Sequence, residues 1–137
     1  GSVPRETDFE DTGGPFFLDE KCTRPDPLRD DQAVYFDTGA GTVVLLGCAH
    51  AGVVNTLLRV RELTNGREIH TVLGGMHLGA AGEERLVRTV NSLEQLDVRR
   101  LGPAHCTGPA ATCRLFGAFP GRCFAVNTGT VLDCGAI

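Results

Sequence analysis

The fold is decided by residues 42–54, which read TVVLLGCAHAGVV. The segment opens with an apolar, β-branched run typical of a buried strand, Thr42–Leu46. A loop rich in small residues follows and carries His50 between glycines. Apolar residues then recur at the spacing of one helical face until Asn65-Gly66, a sequence that ends helices. The segment therefore predicts a strand, a histidine loop and a helix in succession.

The same unit occurs twice more along the chain. Its second copy has a strand over Glu68–Leu73, a loop containing His77, and a helix with acidic residues in its first turn. Its third copy has a strand near Val98–Leu101, a loop containing His105, and a short helix over Pro109–Phe116. We expect Thr107 to cap that last helix. Three units of this kind predict an α/β layered domain, with the histidine loops at the carboxyl ends of strands, where open α/β sheets bind ligands.

The remaining segments complete the expected domain, residues 32–137. A strand over Ala33–Phe36 pairs with Thr42–Leu46 as a hairpin through the turn Thr38–Gly41. Two short strands, Arg122–Val126 and Thr130–Leu132, are expected to close the chain. Residues 1–31 are rich in Pro, Gly, Asp and Glu without sustained periodicity, so we predict an irregular N-terminal arm, its first two residues a tag remnant.

Composition excludes several function classes. The 137 residues carry 13 basic and 17 acidic side chains, a net charge of -4, without a basic cluster that could neutralise nucleic-acid phosphates. No apolar run approaches the roughly 20 residues that cross a membrane. We expect no nucleic-acid or membrane partner.

The six cysteines leave two interpretations open. None forms a C-x-x-C pair, which argues against a thiol redox protein, and their irregular spacing favours reduced thiols in a cytoplasmic protein over a disulfide framework. Cys48 and Cys106 stand beside histidines, but a small thiol packs well under a tight loop, and we interpret both as packing residues.

The histidines carry the chemistry. Neutral imidazole is a common metal ligand, and neighbouring glycines let a loop bring the ring close to an ion. His50, His77 and His105 share this setting. His70 alternates with its neighbours inside a strand, which favours a hydrogen-bonded structural role. Asp30 and Asp31 are expected to cap or orient the hairpin.

Three motifs together resemble one protein family. They are Leu46–Asn55 (LGCAHAGVVN), Gly74–Leu78 (GGMHL) and Pro103–Gly108 (PAHCTG), and Val3–Glu10 and Asp30–Ala33 extend the likeness into the arm. In this order they resemble the later motifs of the metallo-β-lactamase-fold family, in a subgroup similar to dihydropterin ribofuranosyl-aminobenzene phosphate synthase.

The resemblance implies a fold and a set of ligands. Family members are four-layer αββα sandwiches with one or two metal ions, usually zinc, between two αβ halves, and this chain resembles the C-terminal half. By that resemblance His50 is a ligand of the first metal and His105 of the second. His77 is expected to bind metal, contact substrate or donate a proton. No other cofactor site is indicated.

One family element is absent from the sequence. The H-x-H-x-D-H motif that holds most metal ligands belongs to the other half and occurs nowhere here. We therefore expect part of a metal-dependent hydrolase of a small-molecule substrate that is inactive alone, possessing no intact dinuclear centre. A single site formed by His50, His77 and His105 would need all three within roughly 4 to 5 Å.

The alternative is a non-catalytic half-domain. Without a second sheet, one face of this sheet would expose more apolar surface than monomers usually tolerate. We expect that face to pair with a second copy, giving a homodimer, or with a separate N-terminal half.

Overall fold

A computed structural model describes residues 2–10 and 14–134 as a four-stranded sheet with three helices. The strands are β1 (Ala33–Thr38), β2 (Gly41–Leu46), β3 (Ile69–Gly75) and β4 (Arg100–Ala104), and they lie side by side in that order. The helices are α1 (Val53–Leu63), α2 (Glu83–Gln95) and α3 (Pro109–Ala118), and a 3-10 turn covers His105–Thr107. β1 is antiparallel to β2, whereas β2, β3 and β4 are parallel. The mixed α/β architecture predicted from the repeated unit is confirmed.

One face of the sheet forms the core. Val44, Val72 and Leu101 are paired across the three parallel strands and are fully buried. They belong to one apolar cluster with side chains from all three helices, including Leu57 and Leu93. The regular apolar spacing noted in the sequence is therefore the pattern of side chains between helices and sheet.

The opposite face is partly open. Val34 pairs with Leu45, and these two side chains are 58% and 37% exposed. Toward the other edge, the same face is covered by the chain after α3, because a Cβ added to Gly102 would meet Phe124 and Val126. An apolar patch thus remains on the β1 and β2 side of the sheet.

Most predicted elements are confirmed, with shifted ends. The hairpin is correct, but β1 and β3 run two residues further than predicted, and β4 begins and ends later than Val98–Leu101. The two C-terminal strands are wrong. Cys123 forms only an isolated bridge to Leu101, and residues 124–134 form no strand.

The predicted cap of the last helix is also wrong. Gly108 occupies the N-cap position of α3 and no side chain caps it. The Thr107 hydroxyl accepts a hydrogen bond from the backbone of Met76 instead. The Thr107 hydroxyl therefore bonds to a residue distant in sequence and does not cap α3.

The arm has no helix or strand within residues 2–10 and 14–32, apart from a bridge between Phe17 and Pro25. The predicted boundary between arm and domain stays a prediction, and residues 1, 11–13 and 135–137 lie outside the described residues. Within the described part of the chain, no helix is both long and apolar enough to span a bilayer.

Candidate metal centre

The three histidine loops meet at one edge of the sheet. His50 follows β2, His77 follows β3 and His105 follows β4, so all three lie beyond the carboxyl ends of parallel strands. The rings of His50 and His77 are in edge contact, with centroids 4.8 Å apart. The sequence placed these loops correctly because parallel strands carry their carboxyl ends to a common edge.

Candidate ligand atoms form two overlapping groups rather than one histidine triad. Cys48, His50 and His77 form the first, and Cys48, His105 and Cys106 form the second. Within each group all ligand atoms lie within 4.8 Å of one another. The described residues do not gather the three histidines into a single group of that size, and Cys48 joins the two sets.

The middle strand ends in a glycine that lets the neighbouring loops close over it. A Cβ on Gly75 would lie 2.5 Å from the Gly47 carbonyl oxygen, 2.8 Å from Cys106 Sγ and 2.9 Å from a carbon of the His105 ring. All three distances are shorter than real Cβ contacts, so a side chain at this position would displace the neighbouring loops. Gly75 therefore brings the loops after β2 and β4 together.

Three non-glycine residues in these loops have left-handed backbone. Ala49, His77 and His105 have φ of 50°, 51° and 49°. Such a conformation costs a residue with a Cβ about 1 kcal/mol or more, and it occurs preferentially at functional sites. Two candidate ligands are thus held in a strained backbone by the surrounding contacts.

Asp31 contacts the His50 loop. Its Oδ1 lies 3.2 Å from His50 Nδ1, and its Oδ2 accepts a hydrogen bond of 3.4 Å from the Ala51 amide. The Asp31–His50 approach lacks hydrogen-bond alignment, so the buried Nδ1 has no hydrogen-bond partner in the described residues. A carboxylate beside a metal-binding imidazole is a common orienting arrangement. The sequence predicted that Asp31 caps or orients the hairpin, whereas its carboxylate contacts the His50 loop that follows the hairpin.

Burial lowers the pKa of His77, and the proximity of His50 and Arg85 lowers it further, while Asp31 acts in the opposite direction. The imidazole is therefore neutral near neutral pH. A neutral ring can bind a metal or accept a proton, whereas donating a proton requires the charged form.

The two thiols interpreted as packing residues lie in contact. Cys48 Sγ is 3.0 Å from Cys106 Sγ and 3.5 Å from His77 Nδ1. Burial raises the pKa of Cys48 to about 12, with a further contribution from its hydrogen bond to Cys106. Cys106 Sγ also accepts a hydrogen bond from the His77 amide. Sequence spacing could not reveal this pair, because the two residues are 58 positions apart.

The arm fixes the start of the helix that follows the His50 loop. Glu10 is 2% exposed, and its carboxylate accepts hydrogen bonds of 2.8 Å from the amides of Val54 and Asn55. The Asn55 side chain in turn accepts from the amides of Glu6 and Thr7 at 2.9 Å. Glu10 thus satisfies backbone donors of the first turn of α1 from 44 residues away.

His70 lies in β3, and its Nδ1 is 2.9 Å from the Thr71 hydroxyl oxygen. It belongs to neither group of candidate ligands. The structural role predicted for this histidine is consistent with that contact.

Comparisons with known proteins bear on the fold. No family model matches the chain. In fold it is similar to Tm1679, a metal-dependent hydrolase of the β-lactamase superfamily, with a TM-score of 0.77 and 32% identity over 82% of this chain and 43% of that one. The fold is that of half a metallo-β-lactamase-like protein. The expectation that it is the C-terminal half stays a prediction.

Two curated relatives come from Methanocaldococcus jannaschii. The 7,8-dihydropterin-6-methyl-4-(β-D-ribofuranosyl)-aminobenzene-5'-phosphate synthase is 31% identical over 83 residues, which cover 61% of this chain and 28% of the synthase. An uncharacterized protein is 32% identical over 115 residues, 84% of this chain and 41% of that protein. The chain therefore spans less than half the length of each relative.

Proposed function

We propose that this chain supplies one part of the active site of a metal-dependent hydrolase that uses zinc or a similar divalent ion. The observation that carries the proposal is the His50–His77 pair, 4.8 Å between ring centroids, at the carboxyl edge of three parallel strands. The similarity to Tm1679 supports the same reaction class.

The donor set fits such an ion. Imidazole and thiol groups are the ligands zinc prefers. His50 is half-buried, and its Nδ1 atom has no hydrogen-bond partner among the described residues, which supports a further contact for this ring. In this proposal His50 is a ligand oriented by Asp31, His105 is a ligand from the loop after β4, and His77 is a neutral ligand or proton acceptor. A bound ion would lower the pKa of a coordinated water and polarise the substrate.

The neighbouring surface suits a small anionic substrate. A cavity of about 260 Å³ lies beside the His50 loop, lined by residues that include Arg5, Arg29, Asp31 and Ala51. The two arginines among the lining residues support a carboxylate or phosphate on the substrate.

We further propose that the chain needs another segment for activity, because it contains no H-x-H-x-D-H motif. The test is complementation. The zinc-loaded chain is assayed for phosphoester and lactone hydrolysis with and without the part of Tm1679 that this chain does not match. Activity only in the mixture, abolished by His50→Ala, supports the proposal. Equal activity of the wild-type and His50→Ala chains contradicts the assigned site.

The second candidate function is that of a non-catalytic assembling half-domain, here a homodimer. The exposed Val34 and Leu45 on the open sheet face favour it, because burying them would remove apolar surface from water. Light scattering should give a dimer that Val34→Lys converts to monomer. The matched control is Val131→Lys, at a residue 92% exposed. A wild-type monomer at micromolar concentration refutes the dimer and leaves the metal proposal untouched.

A further inference from the structure

The sulfur atoms of Cys48 and Cys106 lie 3.0 Å apart, and His105 offers a ring nitrogen within 4.8 Å of both. These three side chains come from only two loops. Both loops are fixed over Gly75, whose missing Cβ leaves room for Cys106 Sγ and the His105 ring. The three donors are therefore placed by the fold of this chain and need no other segment.

The spacing is close to that of a tetrahedral metal site. Zinc–sulfur bonds of about 2.3 Å at a tetrahedral angle place two thiolates about 3.8 Å apart. The two sulfurs must separate by about 0.8 Å to reach that value, starting from 3.0 Å. Rotation about the side-chain bonds of cysteine provides a movement of this size without moving the backbone.

We propose that Cys48, Cys106 and His105 form a metal site of this chain's own, which holds one zinc-type ion with two thiolates and one imidazole. Two cysteines and a histidine with an open fourth position form a known type of catalytic zinc centre. The exposed His105 ring leaves the site open to solvent. This proposal shares His105 with the hydrolase proposal, but it needs neither His50 nor a ligand from another half, so the two proposals can fail separately.

A disulfide is the competing fate of the two thiols. It would require the sulfurs to approach to about 2.05 Å, roughly 1 Å closer than they are. A metal ion can displace both thiol protons on binding, so uptake should release close to two protons per ion.

The experiment is a cobalt and zinc titration of the reduced, metal-free chain. Cobalt bound by thiolates gives intense near-ultraviolet charge-transfer absorption, which imidazole ligands alone do not give. We expect this absorption at one equivalent of cobalt, displaced by zinc. Cys48→Ser and Cys106→Ser should each weaken zinc binding by at least about 100-fold, measured by competition with a chromophoric chelator.

Controls separate ligand loss from misfolding. Cys113→Ser removes an exposed thiol outside the site and should titrate like the wild type. Far-ultraviolet circular dichroism of each metal-free variant confirms that it folds. His50→Ala should retain the charge-transfer absorption, whereas it abolishes activity under the hydrolase proposal.

Two results would overturn the site. One is cobalt binding without thiolate absorption, or with absorption unchanged in folded Cys48→Ser. The other is a thiol count of four in place of six, with a disulfide between Cys48 and Cys106, in protein kept under nitrogen without metal.

Discussion

Replacing Glu10 with alanine should destabilise the protein far more than an arm residue ordinarily does. The carboxylate accepts hydrogen bonds from two amides of α1, at 2.8 Å each, and the residue is almost fully buried. A buried backbone donor left without an acceptor costs about 1 to 3 kcal/mol. Removing the carboxylate leaves two donors unsatisfied, and relief of its burial offsets part of the loss. We expect a loss of about 2 to 4 kcal/mol in the free energy of unfolding.

Urea unfolding followed by circular dichroism measures this loss. With a denaturant slope of about 2 kcal/mol per molar, the midpoint should fall by roughly 1 to 2 M. The matched control is Glu6→Ala, at an exposed position of the same arm, which should change the free energy of unfolding by less than about 0.5 kcal/mol. Equal midpoints for the two variants would refute the reasoning, because the first turn of α1 would then be satisfied without Glu10.

The pH dependence gives an independent check. Burial raises the pKa of Glu10 above 4.5, against the lowering effect of the Val54 and Asn55 amides. The folded state therefore binds this proton more tightly than the unfolded state. The stability gained from protonating Glu10 is complete below pH 4.5 and is lost as pH rises through the pKa of Glu10 in the folded state. The stability of the wild type relative to Glu10→Gln should accordingly be greater below pH 4.5 than near neutrality.

Three further changes test the loop geometry. Gly75→Ala places a Cβ 2.5 Å from a carbonyl oxygen and should cost about 1 to 3 kcal/mol in thermal unfolding, whereas Gly82→Ala meets nothing within 4 Å and should be near neutral. Thr107→Val removes the acceptor of the Met76 amide and should cost about 1 to 3 kcal/mol, and unchanged stability would show that hydrogen bond to be dispensable. His105→Gly relieves a left-handed residue, so stability should change by less than about 1 kcal/mol while zinc uptake falls.

The parts of the fold that sequence predicted are those governed by local pattern. The β2 strand, the His50 loop and α1 follow from a short apolar run, small residues and a helical apolar spacing. The same pattern placed His77 and His105 at the correct edge. Strand ends moved because β3 and β4 continue through residues that local pattern assigns to loops, including Pro103, which pairs with Gly74.

Tertiary contacts explain what the sequence did not predict. Polar and apolar residues alternate after α3 as they do in a strand. The backbone of this region pairs with the sheet only near Cys123, where Arg122 and Phe124 form hydrogen bonds with Leu101. Glu10 caps a helix 44 residues away, and no local signal identifies a remote cap. The thiol pair depends on two loops closing over Gly75, which becomes apparent only when β2, β3 and β4 are placed in order.

Strain and donors coincide at this edge. His77 and His105 have a conformation that glycine adopts without cost, and a hydrogen bond from the Gly79 amide to the Cys106 carbonyl ties their two loops together. If these loops only connected strands to helices, glycine would serve at both positions, and no histidine would be needed next to the two cysteines. The fold instead keeps a side chain with a metal-binding nitrogen at each strained position. Histidine at both positions is what the proposed metal sites would require, although the left-handed Ala49 in the same loops carries no donor.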